Sequence, residues 1–246
     1  MQYKRFAKIY DTLMRDVDYD CWAEYLCNIA ERFCVPLNFV VDCACGTGAM
    51  SIRLAKRGSR VIGIDLSEEM LQMAQENSRE SGVSIVFAKM DMRSFTVHKP
   101  ADAVIAVCDG VNYLTSMRDV KRFFESAYRA LKPNGLLMFD ISSHYKLKDI
   151  LGDNTFAEDT GEIAYIWQNS YDSQSKLIEM NLSFFEKTEN GLYERFTERH
   201  IQRAHSEQEL KNALCSIGFN EIYSYEAFSF IAPSNNSERI QFVAKR

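Results

Sequence analysis

The sequence predicts an α/β fold: a doubly wound, mostly parallel sheet with helices on both faces, plus an inserted antiparallel β-sheet. Three observations predict it. Short apolar runs alternate with helical patterns through residue 141, as parallel strands joined by crossover helices require. The run Val40-Val41-Asp42-Cys43-Ala44-Cys45 enters the turn Gly46-Thr47-Gly48, and the next run, Val61-Ile62-Gly63-Ile64, ends in Asp65. That pair reads as a βαβ unit able to place a nucleoside at the carboxyl edge of the sheet. Over 162–204 the pattern changes to period two, with Glu189-Asn190-Gly191 as a hairpin signal.

The elements follow in order. Residues 3–17 set Phe6, Ile9, Tyr10, Leu13 and Val17 at helical spacing. Asp20 is expected to cap a second helix with Trp22, Tyr25, Leu26, Ile29 and Phe33 on its inner stripe, closed by Pro36. Strand one is expected at 39–43, a helix from Gly48 to Lys56 with Gly58 at its end, and strand two at 60–64. Ser67 caps the next helix, Glu68 and Glu69 suit its first turn, and Gly82 stops it. Strands three and four are expected at 84–88 and 102–107, a helix at 118–131, a turn at Lys132-Pro133-Asn134-Gly135 and strand five at 136–141. Inserted strands are expected at 162–171, 176–187 and 192–204. Ile178, Met180, Leu182 and Phe184 lie on one face, and Leu177, Glu179, Asn181 and Ser183 on the other. A helix at 206–217 stopped by Gly218 and strands at 220–227 and 239–245 complete the chain.

Bulk properties exclude several classes. The net charge is -5 and there is no long basic run, which argues against a nucleic-acid partner. The N-terminal residues lack the apolar core of a signal peptide, and no apolar run of about eighteen residues exists to span a membrane. Seven cysteines without a disulfide framework suit reduced thiols and a cytoplasmic location. Cys43, Cys45 and Cys108 read as small residues lining a tight loop; Cys21, Cys27 and Cys34 are expected to face a helical core. No metal-ligand spacing is present.

The loop narrows the ligand. Its glycines admit close backbone approach, and Asp65 can accept two hydrogen bonds from a ribose diol, each roughly 1.5–3 kcal/mol for a charged acceptor. A dinucleotide site wants Gly-x-Gly-x-x-Gly, but the third position is Ser51. Asp42, on the strand before the loop, is awkward beside a pyrophosphate and helpful beside a cation. S-adenosylmethionine is such a cation. The stretch Val41-Asp42-Cys43-Ala44-Cys45-Gly46-Thr47-Gly48 resembles motif I of the class I S-adenosylmethionine-dependent methyltransferases, whose fold is a Rossmann-like sheet.

The resemblance covers most of 40–141 and the final strand pair, and it implies a cofactor set: Asp42, Ala44, Cys45, Gly46, Gly48, Asp65, Leu66, Asp91, Met92 and Cys108. Asp91 would take the adenine amino group, the Met92 N–H a ring nitrogen, Leu66 the adenine face, and the Cys108 carbonyl the ammonium group. The segment after strand four is not Asn-Pro-Pro-Tyr or Asp-Pro-Pro-Tyr, which lowers the case for a DNA or glutamine substrate. The start, from Ile9 through Tyr19 with Trp22, resembles a bacterial group of small-molecule-type methyltransferases, several with a β-insertion after strand five. By that resemblance 1–35 is an N-terminal helical lid, 36–150 with 206–246 the core, and 151–205 the insertion. Tyr10 is then either a cofactor-facing lid residue with a catalytic role or an ordinary packing residue.

Methyl transfer is an in-line displacement, and alignment alone supplies about 7–11 kcal/mol. An oxygen nucleophile usually needs a base. Of His98, His144, His200 and His205, His200 leads, because the insertion is the expected roof of an acceptor pocket. Period two puts Glu198, His200 and Gln202 on one face and Arg199 and Arg203 on the other. His144 follows strand five at the sheet's edge. The insertion, with Tyr165, Trp167, Phe184 and Phe185, reads as a substrate cover, a homodimer contact or both. The leading reading is methylation of nitrogen or oxygen in a small-molecule acceptor. Alternatives are a tRNA or protein methyltransferase, a non-catalytic adenosylmethionine-binding protein and, weakest, a dinucleotide oxidoreductase.

Overall fold

A computed structural model describes residues 3–246, without the side chains of residues 3–5 and 8. Met1 and Gln2, the start of the expected lid, lie outside the described residues. In chain order the elements are α1 (Tyr3–Leu13), α2 (Tyr19–Arg32), β1 (Phe39–Cys43), α3 (Ala49–Lys56), β2 (Arg60–Asp65), α4 (Glu68–Glu80), β3 (Val86–Lys89) and β4 (Ala101–Ala106). A one-turn helix (Gly110–Tyr113), α5 (Met117–Ala130), β5 (Leu131–Ser142) and a short helical segment (Lys146–Leu151) follow. Then come β6 (Thr155–Asp159), β7 (Ile163–Asp172), β8 (Leu177–Lys187), β9 (Tyr193–Arg203), α6 (Glu207–Ile217), β10 (Glu221–Glu226) and β11 (Arg239–Lys245).

The main sheet has the order β10-β11-β5-β4-β1-β2-β3. Strands β1 to β5 run parallel, and β11 and β10 are added antiparallel. The strand order reverses between β1 and β4, the switch point where open α/β sheets hold their ligands. Every residue of β4 is buried, as a central parallel strand covered on both faces demands. One layer packs Phe123, Phe124, Leu210 and Leu214 of α5 and α6 on the sheet, where Phe139 and Phe242 stack in register. The opposite layer packs Trp22, Leu26 and Ile29 of α2 and Leu54 of α3. Serines 67, 116 and 206 cap α4, α5 and α6, the last in a reciprocal capping box with Glu209.

Several boundaries differ from expectation. Helix α1 stops at Leu13, so Val17 lies in the connection. Asp18, not Asp20, caps α2, accepting from the Cys21 N–H at 2.9 Å. Asp20 sits in the first turn and pairs with Arg53 (3.1 Å) and Arg57 (3.7 Å). Cys21 and Cys34 are exposed and Cys27 half-buried, because the inner stripe of α2 is already filled by larger side chains. Strand β5 begins at Leu131, and the expected turn at 132–135 is an irregularity within it.

The insertion is a four-stranded antiparallel sheet, β6-β7-β8-β9. Its edge strand β6 was not expected: Thr155-Phe156-Ala157-Glu158-Asp159 is too short and polar to show period two. Phe184 is fully buried against Phe6 of α1, with ring centroids 5.6 Å apart, in a cluster that includes Met70 of α4. Helix α1 thus lies between the insertion and the main domain. The four aromatics singled out in the insertion do not share a face. Tyr165, Trp167 and Phe184 turn toward their own chain, and register puts Phe185 on the other side, because neighbours along a strand alternate.

Candidate active site

A cavity of about 820 Å³ runs along the carboxyl edge of the sheet, under α1 and the insertion. Tyr10, Asp42, Ala44, Cys45, Gly46, Asp65, Leu66, Asp91, Met92, Cys108 and His200 all line it. Gly48 does not; it starts α3 at φ +79°, where a Cβ would come within 3.0 Å of the Phe87 ring and 3.1 Å of Ala74. It therefore shapes the loop that the other residues present.

Two acids face the loop. Asp42 is buried and accepts from the buried Ser51 hydroxyl at 2.6 Å. Burial pushes its carboxyl up to about 7, helped by the charge of Asp65 and opposed by Ser51. Ser51, the residue that breaks the dinucleotide pattern, is thus the partner of Asp42. Asp65 accepts from the Gly46 and Ser67 N–H groups, each at 2.9 Å. Burial raises it against those bonds. A carboxylate offers about four acceptor positions, and the backbone donors, the Leu66 N–H among them, do not use them all. Next to it Leu66 is 58% exposed, an apolar surface open to the cavity.

At the far end, Arg93 grips Asp91 through Nε (2.9 Å) and Nη2 (2.6 Å), holding the carboxyl below its usual range. The acid expected to meet adenine is therefore already engaged, which leaves it less free than the sequence suggested.

The chain after β4 turns sharply, with Cys108 at φ +57° and Asp109 at φ +64°. Non-glycine residues rarely adopt this conformation, and each costs of order 1–3 kcal/mol unless its surroundings enforce it. The enforcing groups are in view. The Asp109 N–H donates to Asp140 Oδ2 at 3.3 Å, and Arg239 bridges Asp109 Oδ1 and Asp140 Oδ2. The Arg239 guanidinium lies 5.1 Å from the centre of the Trp22 ring. Asp140 is buried and pushed up by that burial, which Arg239 opposes. Arg239 and Asp140 were missed in the sequence because they lie on neighbouring antiparallel strands with no local motif.

Over the cavity, the phenols of Tyr10 and Tyr19 lie close to each other and to Cys108. Burial raises both phenols, so they remain protonated at neutral pH and act as donors rather than bases. Asp11 fastens α1 to the glycine loop: it accepts from the Thr47 hydroxyl at 2.6 Å and from Asn77 of α4 at 2.9 Å.

Of the four histidines only His200 lines the cavity. Its Nδ1 lies 3.3 Å from the Tyr113 hydroxyl, its ring packs on Phe6, and burial lowers its pKa, favouring the neutral ring. His144 meets Tyr171, buried His205 bonds the Leu114 carbonyl, and His98 is exposed. Glu198 and Gln202 share the His200 face; Glu198 is 3% exposed, its Oε1 has no hydrogen-bond partner among the described residues, and burial pushes it up to about 7. Trp167, across β8, has a buried Nε1–H without an acceptor among the described residues, at a cost of about 1–3 kcal/mol.

The donor set suits a cationic nucleoside. Acids and an exposed leucine line one half of the cavity, while a pyrophosphate would face Asp42 and Asp65. A methyltransferase-domain family model matches residues 40–135. The Bacillus subtilis protein named "Putative methyltransferase YqeM" is 40% identical over 249 aligned residues, covering 100% of this chain and 98% of its own. The chain belongs to the class I S-adenosylmethionine-dependent methyltransferases. The crystal structure of an S-adenosylmethionine-dependent methyltransferase from Clostridium acetobutylicum is 32% identical, with a TM-score of 0.90 over 99% of this chain and 98% of that one. A ubiquinone biosynthesis O-methyltransferase from Methylococcus capsulatus is 31% identical over 40% of this chain and 41% of its own. S-adenosylmethionine is the cofactor of this enzyme family, and among the described residues no helix is long and apolar enough to cross a membrane.

Proposed function

We propose that this methyltransferase acts on nitrogen or oxygen of a small-molecule acceptor. The observation that carries the reading is the cavity's second half. It extends past the Cys108 turn to Trp167, His200 and Gln202 and is covered by α1 and the insertion. A covered space of this kind suits a small acceptor better than a macromolecule.

Asp65 holds the ribose, Leu66 the adenine face, and Asp42 with the Cys108 carbonyl the cationic end. Bound S-adenosylmethionine supplies a methyl group already activated by positively charged sulfur. The chain's own work is alignment and exclusion of water. Arg239 and Asp140 keep the Cys108 carbonyl in place. Tyr10 and Tyr19, both protonated, close the cavity above it and donate hydrogen bonds. His200, neutral and next to the acceptor space, takes the proton of a hydroxyl acceptor, or of an ammonium group to free the amine nucleophile. The insertion is the acceptor cover.

A radiolabelled-methyl screen over amines, acids, sugars and tRNA tests this. Transfer to a small molecule is expected. Transfer to tRNA or protein alone overturns the reading.

A further inference from the structure

The acceptor half of the cavity has its own chemistry. Leu151, Met180 and Leu182 form an apolar wall. Among the described residues lining this half, the one carboxylate is Asp109, which is paired with Arg239. The polar groups left include two that can only donate, Trp167 and Lys146, beside His200, Gln202 and Ser142. Trp167 Nε1–H is buried and has no acceptor among the described residues, and an indole nitrogen can do nothing but donate. Lys146 lines the same half with its Nζ 3.9 Å from Glu238, a loose pair that leaves its charge available. The Trp167 ring is fixed between Phe156 on β6, at 5.6 Å between centroids, and the Leu182 position on β8. Its donor therefore has a set direction before anything binds.

We propose that the acceptor is a small, partly apolar carboxylic acid. Its carboxylate is met by Lys146 and accepts from Trp167 Nε1–H, and its hydroxyl or amine faces His200. This rests on the methyl-transfer reading above and names the substrate class for it. A carboxylate answers both observations at once, the orphan Trp167 donor and the loosely paired Lys146 charge. In the reaction the acceptor's lone pair forms the new O–C or N–C bond. The S–C bond breaks with its electron pair left on sulfur, and the acceptor's proton passes to the His200 nitrogen that does not meet Tyr113.

The test is calorimetric titration of the full chain loaded with S-adenosylhomocysteine. The probes are hydroxybenzoates, aminobenzoates and short aliphatic hydroxy and amino acids, each paired with its methyl ester. At least one acid is expected to bind tenfold or more tighter than its ester. Trp167→Phe, which keeps the ring and removes the donor, should weaken that acid at least fivefold, and so should Lys146→Met, at a partly exposed site. Both variants should keep S-adenosylhomocysteine affinity within twofold. The proposal is overturned if esters bind as well as acids, if no acid binds the loaded protein, or if neither variant changes acid affinity. Failure of the wild-type chain to bind S-adenosylhomocysteine would instead overturn the reading beneath it.

Discussion

The pH dependence of cofactor affinity follows from Asp42. Its carboxyl titrates near 7 in the ligand-free protein, because burial removes it from water with one hydroxyl, that of Ser51, for support. A cationic ligand favours the ionised form, so affinity rises as pH rises through 7. At pH 6 roughly one molecule in eleven carries the charge, and at pH 8 about ten in eleven. The ratio predicts about tenfold tighter binding at pH 8, or about 1.4 kcal/mol. The ligand-free protein shows the opposite trend. A folded-state pKa above the unfolded value of about 3.9 contributes stability that is complete below that value and lost as pH rises through 7. For this group alone the loss reaches roughly 4 kcal/mol at most. Titration calorimetry with S-adenosylmethionine at pH 6, 7 and 8, on wild type and Asp42→Asn, measures the first effect. The wild type should show the rise and the variant a flat profile with weak binding. A flat wild-type profile, or the same rise in the variant, would refute the reasoning.

Three further outcomes follow from the same geometry. Asp65→Ala should weaken S-adenosylhomocysteine at least about tenfold, seen by calorimetry; unchanged affinity removes Asp65 from the site. Asp11→Ala breaks the link between α1 and Thr47, so stopped-flow measurement should show cofactor dissociation accelerating several-fold; an unchanged rate means that α1 does not gate the cavity. Phe184→Ala empties a fully buried site between the insertion and α1 and should cost about 3–5 kcal/mol in denaturant unfolding; a loss under 1 kcal/mol would mean that the two do not pack as described.

Much of the cofactor half was legible because its signals are local. Strand, glycine turn and carboxylate follow one another in a single βαβ unit from Asp42 to Asp65, and period two exposed the faces of β8 and β9, including Glu198, His200 and Gln202. What escaped was set by tertiary pairing. The Arg239 clamp joins β11 to β5, and nothing in Glu238-Arg239-Ile240 announces it. Ser51 read only as a missing glycine, since its bond to Asp42 depends on how α3 sits over β1. Trp167 stayed open between substrate cover and dimer contact because periodicity gives the two faces of a strand but not which one meets the protein. Asp18 displaced Asp20 as the α2 cap by two residues, an offset that composition alone does not fix.

The most direct measurement is a crystal structure of the chain with S-adenosylhomocysteine and S-adenosylmethionine in turn. The account predicts ribose hydroxyls on Asp65, adenine against Leu66, the amino-acid end at Asp42 and the Cys108 carbonyl, and the methyl facing the space bounded by His200 and Trp167. A ligand bound elsewhere, or lying in this cavity with its ribose away from Asp65 and its sulfur turned from His200, would contradict it.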